Sequence, residues 1–185
     1  SLKKLLVERR PDTKTILFTG SSSIRMWSDI QEYFPDKNII NTGFGGSVMS
    51  ELLFYLDDIV IQYKPDQIFI YEGDNDVAIG KNPYVIMKNA KKVVHKLNES
   101  LPDVPVVFIS PKPSLARWEL RETYMKLNDC FERYAARHDK VDFINVWPVM
   151  LNQDGTPEKE LFIEDGLHMS KKGYDIWAGE IRKYL

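Results

Sequence analysis

The sequence predicts an α/β protein, a three-layer α/β/α sandwich around a five-stranded parallel sheet. Two observations lead there. Short apolar runs rich in Val, Ile and Phe alternate with longer segments of helical period. The runs are almost continuously hydrophobic, which suits strands covered on both faces, as in a parallel sheet. A third observation sets the organisation: 185 residues without internal repeat, low-complexity tract or Pro/Gly-rich linker fit one domain over 1–185.

Taken in order, residues 15–19 form the first run, followed by 38–41, 67–71, 104–109 and 141–146. Between the second and third runs, residues 51–63 carry Leu52, Leu53, Leu56, Ile59, Val60 and Tyr63. That spacing is close to the i, i+3/i+4, i+7 stripe of a helix with one buried face. Residues 83–97 open with Asn82 and Pro83, a cap and first-turn pair. Residues 119–137 and 171–185 are further amphipathic helices, the latter entered through Ser170. Strands joined by helical crossovers imply an open, doubly wound, flavodoxin-like sheet with helices on both faces. Ligands in such sheets gather at the carboxyl ends of the strands, near the topological switch point. The residues just after each strand are therefore the ones to read for chemistry.

Composition narrows the partners. Twenty-five Lys and Arg against 27 Asp and Glu leave a net charge of -2, which calls for neither nucleic acid nor an anionic membrane. No apolar run approaches the ~18–20 residues of a membrane span. Cys130 is the single cysteine, so no internal disulfide forms, and its helical surroundings mark it as a small buried filler. No signal peptide is visible, and Ser1 in place of an initiator Met fits a trimmed or mature form, cytoplasmic or exported.

Four segments at strand ends carry chemistry. Gly20-Ser21-Ser22-Ser23 follows the first strand, where glycine permits a sharp turn and a serine at a helix start meets free backbone N–H groups. Asn41-Thr42-Gly43-Phe44-Gly45-Gly46 follows the second; a dinucleotide loop would need glycine where Val48 stands. A loop with so little side chain instead lets its backbone approach a small ligand. Gly73-Asp74-Asn75-Asp76 follows the third, and the Asn75 amide can donate to a developing negative charge. Near the C-terminus, Asp165 and His168 sit three apart in a turn, so the carboxylate can orient the imidazole and select its tautomer. Singly, each segment also fits an ordinary use: a cap cluster, a tight turn, an Asx turn, a surface loop with an unrelated histidine. His95 lies in a Lys-rich helical segment and reads as solvated, and His138 ends a helix beside Asp139.

The ordered set resembles the SGNH (GDSL-like) hydrolase superfamily, whose four signature blocks supply Ser, Gly, Asn and His. The matching residues are Gly20-Ser21-Ser22, Asn41-x-Gly43-x-x-Gly46, Gly73-x-Asn75-Asp76 and Asp165-x-x-His168, spanning residues 20 to 168. The resemblance implies a serine esterase or acylhydrolase with Ser22 as nucleophile, His168 as base and Asp165 as its orienting carboxylate. It implies an oxyanion hole from the N–H groups of Ser22 and Gly46 and the amide of Asn75, with no metal or cofactor. The family's first block is most often Gly-Asp-Ser, whereas Ser21 stands at the Asp position here, so Ser22 is assigned by its offset from Gly20. Ser21 and Ser23 are its competitors.

The substrate is less defined. No long apolar lid segment is apparent, and the segment 111–118 after the fourth strand should border the site. Ser21, Arg25, Trp27, Asp74, Arg117 and Trp118 are the candidate substrate contacts, with tryptophan faces suited to sugar rings. Trp27 and Trp118 fit equally well as core or rim residues. Asp74 either points into the pocket, disfavouring anionic substrates, or pairs structurally. The expected substrate is a small-acyl ester, among them acetylated carbohydrate. Relatives also include lysophospholipases, thioesterases and platelet-activating-factor acetylhydrolase-like enzymes. Two rival readings are a metal-dependent phosphoesterase using Asp74, Asp76, Asp165 and His168, and a non-catalytic carbohydrate-binding protein on the same fold.

Overall fold

A computed structural model describes residues 13–185. The expectation of one domain over 1–185 and the reading of Ser1 extend outside the described residues. Five parallel strands form the sheet: β1 (Thr15–Gly20), β2 (Asn38–Asn41), β3 (Gln67–Tyr71), β4 (Val106–Ile109) and β5 (Val141–Ile144). Their spatial order is β2-β1-β3-β4-β5. Phe18 lies beside Asn41 on one side and Phe69 on the other, so β1 is the strand at which the winding reverses. The switch point thus lies where β1 and β3 end.

Side-chain alternation splits the core into the two layers that a doubly wound sheet requires. Ile16, Phe18, Phe69, Tyr71, Val107 and Ile109 face one layer. Leu17, Ile68, Ile70, Val106 and Phe108 face the other. The first layer is closed by α8 (Lys171–Arg182), through Tyr174, Trp177, Ala178 and Ile181. The second is closed by α3 (Met49–Phe54), α6 (Pro83–Ser100) and α7 (Arg121–Ala136). Four short helices complete the set among the described residues: α1 (Ser22–Arg25), α2 (Ile30–Tyr33), α4 (Leu56–Ile59) and α5 (Asp74–Ala78).

Local chemistry sets the ends. Asn82 caps α6 by accepting from the Tyr84 N–H at 2.8 Å, with Pro83 in the first turn where its missing N–H is harmless. Ser170 caps α8 through the Gly173 N–H. β4 begins at Val106, two residues later than the apolar run, because Pro105 has no N–H to give a ladder. β5 stops at Ile144, since Asn145 turns the chain by accepting from the Trp147 N–H at 3.1 Å.

One expected element differs. The helix foreseen over 51–63 is broken into α3, α4 and a 3-10 turn at Ile61–Tyr63. Leu52, Leu56 and Val60, spaced by four, are fully buried in the broken arrangement as they would be in a continuous helix, so the apolar pattern does not distinguish the two. The break leaves Phe54 and Tyr55 on the surface. Cys130, foreseen as buried filler, is only half-buried, on a face of α7 that packs partly against the core.

Trp27 is a structural residue. It is 0% exposed and its ring lies 5.0 Å from Tyr174, 5.4 Å from Tyr33 and 6.3 Å from Trp177, centroid to centroid. The candidate role as a substrate wall is therefore corrected: no face of this indole is open. Trp27→Ala is expected to destabilise the protein by about 3–5 kcal/mol, the usual cost of emptying so large a buried site. Urea denaturation followed by circular dichroism measures it.

Candidate active site

The first site residue is set by a strand end that only glycine can occupy. Gly20 has φ +134°, and a Cβ there would lie 1.9 Å from the Tyr71 carbonyl oxygen. The close approach lets the Ser21 N–H donate to that oxygen at 3.1 Å, and α1 starts at the next residue. Ser22 is half-exposed, while Ser21 and Ser23 are 3% and 2% exposed. Ser23 Oγ accepts from Lys112 Nζ at 3.1 Å. Ser22 is thus the serine of the three with its side chain open, and Ser21 is corrected from a substrate contact to a buried turn residue.

The partner of Ser22 arrives from 146 residues away: His168 Nε2 lies 3.0 Å from Ser22 Oγ. Its loop is closed by a bridge between Phe162 and Met169 and by the Ile163 N–H donating to the His168 carbonyl at 2.9 Å. Asp165 organises the turn. Its Oδ1 accepts from the N–H groups of Leu167 and His168, both at 2.9 Å, and its Oδ2 lies 2.5 Å from His168 Nδ1. Desolvation pushes the Asp165 carboxyl up, but these hydrogen bonds outweigh it and bring the pKa down to about 2. A carboxylate, an imidazole and a hydroxyl therefore form one continuous chain.

The glycine loop is tied to α1 from beneath. Asn41 Nδ2 donates to the Ile24 carbonyl at 2.7 Å, and the Phe44 N–H donates to the Gly20 carbonyl at 2.8 Å. Gly46 adopts φ +74°, with nothing within 4 Å of where a Cβ would stand, so this backbone faces open space. Among the described residues, no acceptor engages the N–H of Ser22 or of Gly46. Arg25 lies against the loop, its Nε 3.2 Å from a Cβ built on Gly45, which makes it a rim residue.

Asn75 reaches the loop through Nδ2, which donates to the Ser47 carbonyl at 3.0 Å. Two buried carboxylates below hold the loop and α3 in register. Ser47 Oγ donates to Glu72 Oε1 at 2.5 Å, and Asp76 accepts from the Met49 N–H at 3.0 Å with Lys81 Nζ 3.6 Å away. Burial pushes both carboxyls up, Glu72 well above its ordinary value. Glu72, Ser47 and Lys112 were missed by sequence reasoning, although a glutamate directly at the end of an apolar strand was a usable signal.

Asp74 does not face the cleft. It is 4% exposed and accepts from Tyr71 Oη, Tyr124 Oη, Lys112 Nζ and Arg117 Nη1 at 2.6, 2.7, 3.2 and 2.7 Å. Burial would raise its carboxyl, but Lys112 and Arg117 together with the two phenols hold it well below the usual range. Arg117 is partly buried in this network. Trp118 stacks on Trp147 at 5.9 Å and carries Arg121 over its ring, so it packs on the α7 side instead of walling the cleft. Of the four residues a metal-centred phosphoesterase would use, Asp165 and His168 pair with each other, while Asp74 and Asp76 are each held by partners of their own. Among the described residues, no group of three or more His, Cys, Asp or Glu is arranged to hold a metal ion.

Residues 15–176 match the family model of the GDSL-like lipase/acylhydrolases. The chain belongs to that family. Its chemistry is accordingly hydrolysis of carboxylic esters. An arylesterase from Vibrio mimicus is 25% identical over 149 residues, covering 80% of this chain and 70% of that enzyme. Solved structures share its fold. A GDSL-like lipase from Bacteroides thetaiotaomicron superposes with TM-score 0.83 at 21% identity, covering 99% of this chain and 94% of its own. A catalytic mutant of an acetylxylan esterase from Geobacillus stearothermophilus gives TM-score 0.75 at 16% identity, covering 92% and 93%. No helix among the described residues is long and apolar enough to cross a membrane.

Proposed function

We propose that this GDSL-family chain cleaves short-acyl carboxylic esters through an acyl-enzyme on Ser22, with acetylated carbohydrate as the favoured substrate class. The observation that carries the reading is the unbroken contact series from Asp165 Oδ2 through His168 to Ser22 Oγ. His168 Nε2 takes the Ser22 proton as Oγ attacks the ester carbonyl. The tetrahedral oxyanion accepts from the N–H groups of Ser22 and Gly46 and from the Asn75 amide. Collapse expels the alcohol, which His168 protonates, and water then attacks the acyl-enzyme by the same route, releasing the acid and free Ser22.

A short acyl group is favoured because the segments that carry the proposed donors bring small side chains to the serine: Gly45 and Gly46 in the loop, with Ser21, Ser23 and Ser47 buried. Asp74 is neutralised within its own network, so it does not repel an anionic substrate. Support for carbohydrate does not come from tryptophan faces, since Trp27 is closed in the core and Trp118 stacks on Trp147. It comes from the likeness to an acetylxylan esterase.

A fluorophosphonate probe followed by peptide mapping, together with a panel of p-nitrophenyl acetate, butyrate and octanoate beside acetylated xylo-oligosaccharides, tests the reading. Labelling at Ser22 and a kcat/KM falling at least about tenfold from acetate to octanoate are expected, within what a pocket wall discriminates. Labelling of another serine would end the nucleophile assignment, and a preference for octanoate would end the short-acyl one.

A further inference from the structure

Asn75 can donate to an oxyanion only if the nitrogen of its amide, and not the oxygen, is available to the substrate. The residue that enforces this lies 42 positions further along the chain. Arg117 Nη1 donates to Asn75 Oδ1 at 3.1 Å and to Asp74 Oδ1 at 2.7 Å. A guanidinium has donors and no acceptor, so only the amide oxygen can face it. The amide nitrogen is left to donate to the Ser47 carbonyl, and its second N–H is engaged by no described residue.

We infer that Arg117 is the positioning residue for the oxyanion donor Asn75, anchored for that task by the buried carboxylate of Asp74. The inference rests on the reading of Asn75 given above. Three effects follow from one contact. The amide loses its freedom to rotate or flip. Donation into Oδ1 draws electron density from the amide and strengthens its N–H groups as donors, the cooperative effect expected of linked hydrogen bonds in a low-dielectric site. And two cations, Lys112 and Arg117, face the single anion Asp74, with side chains 1%, 21% and 5% exposed. The Arg117 guanidinium, 3.1 Å from the amide oxygen, stands beside the donor, where its charge favours negative charge developing on the substrate. Arg117 does all this without touching the ester.

A double-mutant cycle on p-nitrophenyl acetate decides the point. Asn75→Ala alone should lower kcat about 100- to 1000-fold, the usual cost of one oxyanion donor. Arg117→Met in the otherwise unchanged protein should lower kcat about 10- to 100-fold with KM moving less than about threefold, as for an interaction made only in the transition state. Made in the Asn75→Ala background, the same substitution should cost less than about threefold, because nothing remains for Arg117 to position. An equal loss in both backgrounds overturns the inference, as does wild-type turnover in Arg117→Met. If Asn75→Ala alone retains full activity, the donor reading itself fails, and the inference with it. Arg117→Lys guards against a folding defect. Its side chain is one bond shorter, so it keeps the pair with Asp74 and gives up Asn75. The same cycle run with it should show a loss of about three- to tenfold that vanishes without Asn75.

Discussion

Ser22→Ala is expected to lower kcat for acetyl esters by about 10⁴- to 10⁶-fold, the range seen when a triad nucleophile is removed. Fluorophosphonate labelling should vanish with it. The thermal midpoint should hold, because among the described residues Ser22 Oγ has a single partner, His168, and Ser22 is only half-buried at the start of a four-residue helix. Ser21→Ala supplies the control. That side chain lies 3% exposed in the turn below, so probe labelling should persist at Ser22. Residual turnover in Ser22→Ala, about 10³- to 10⁴-fold above water, would reflect the N–H donors acting on a directly attacking water. Turnover of the variant within tenfold of wild type would move the nucleophile elsewhere.

Ser22 as a candidate nucleophile is legible in the sequence because its surroundings demand unusual residues over a short stretch. A strand end that only glycine tolerates, then a serine at a helix start, leaves a mark within three residues. Gly46, Asn75 and the Asp165-His168 turn leave equally local marks, and parallel strands bring such marks to one edge of the sheet. What stayed hidden acts across long separations or looks the same in two environments. Asp74 meets Lys112 and Arg117 only once β3 and β4 are adjacent, 38 and 43 residues apart in the chain. From sequence, Asp74 could face the pocket or a buried partner. Trp27 was ambiguous for a different reason: an aromatic just after the first block serves a cleft or a core equally well. Its neighbours Phe18, Phe34 and Trp177 come from three separate segments: β1, the end of α2 and α8. The break at Tyr55 was invisible because apolar residues four apart satisfy a continuous helix and a chain of short turns alike.

His168→Ala should match Ser22→Ala in depth, and the double variant should be no slower than either, since a base without its nucleophile has nothing to deprotonate. Asp165 separates orientation from charge. In Asp165→Ala the loss should be smaller, about 10⁴-fold, because His168 retains its contact with Ser22 while losing its partner at Nδ1. Asp165→Asn is the sharper test. Its side-chain oxygen can still accept from the N–H groups of Leu167 and His168, so the turn survives. Its amide N–H₂, however, would face Nδ1 and favour the tautomer with hydrogen on Nε2, which cannot accept the Ser22 proton. A loss of about 10⁴-fold with an intact fold is expected. The pH profile adds an independent check. Because Asp165 has a pKa depressed to about 2, its favourable interaction is present above the ordinary carboxylate range and is lost only as pH falls through about 2. Activity lost between pH 5 and 8 in the wild-type enzyme therefore does not come from protonating Asp165. An acid limb in that window that disappears in Asp165→Asn, while kcat above it stays at the wild-type level, would contradict this assignment of the carboxylate.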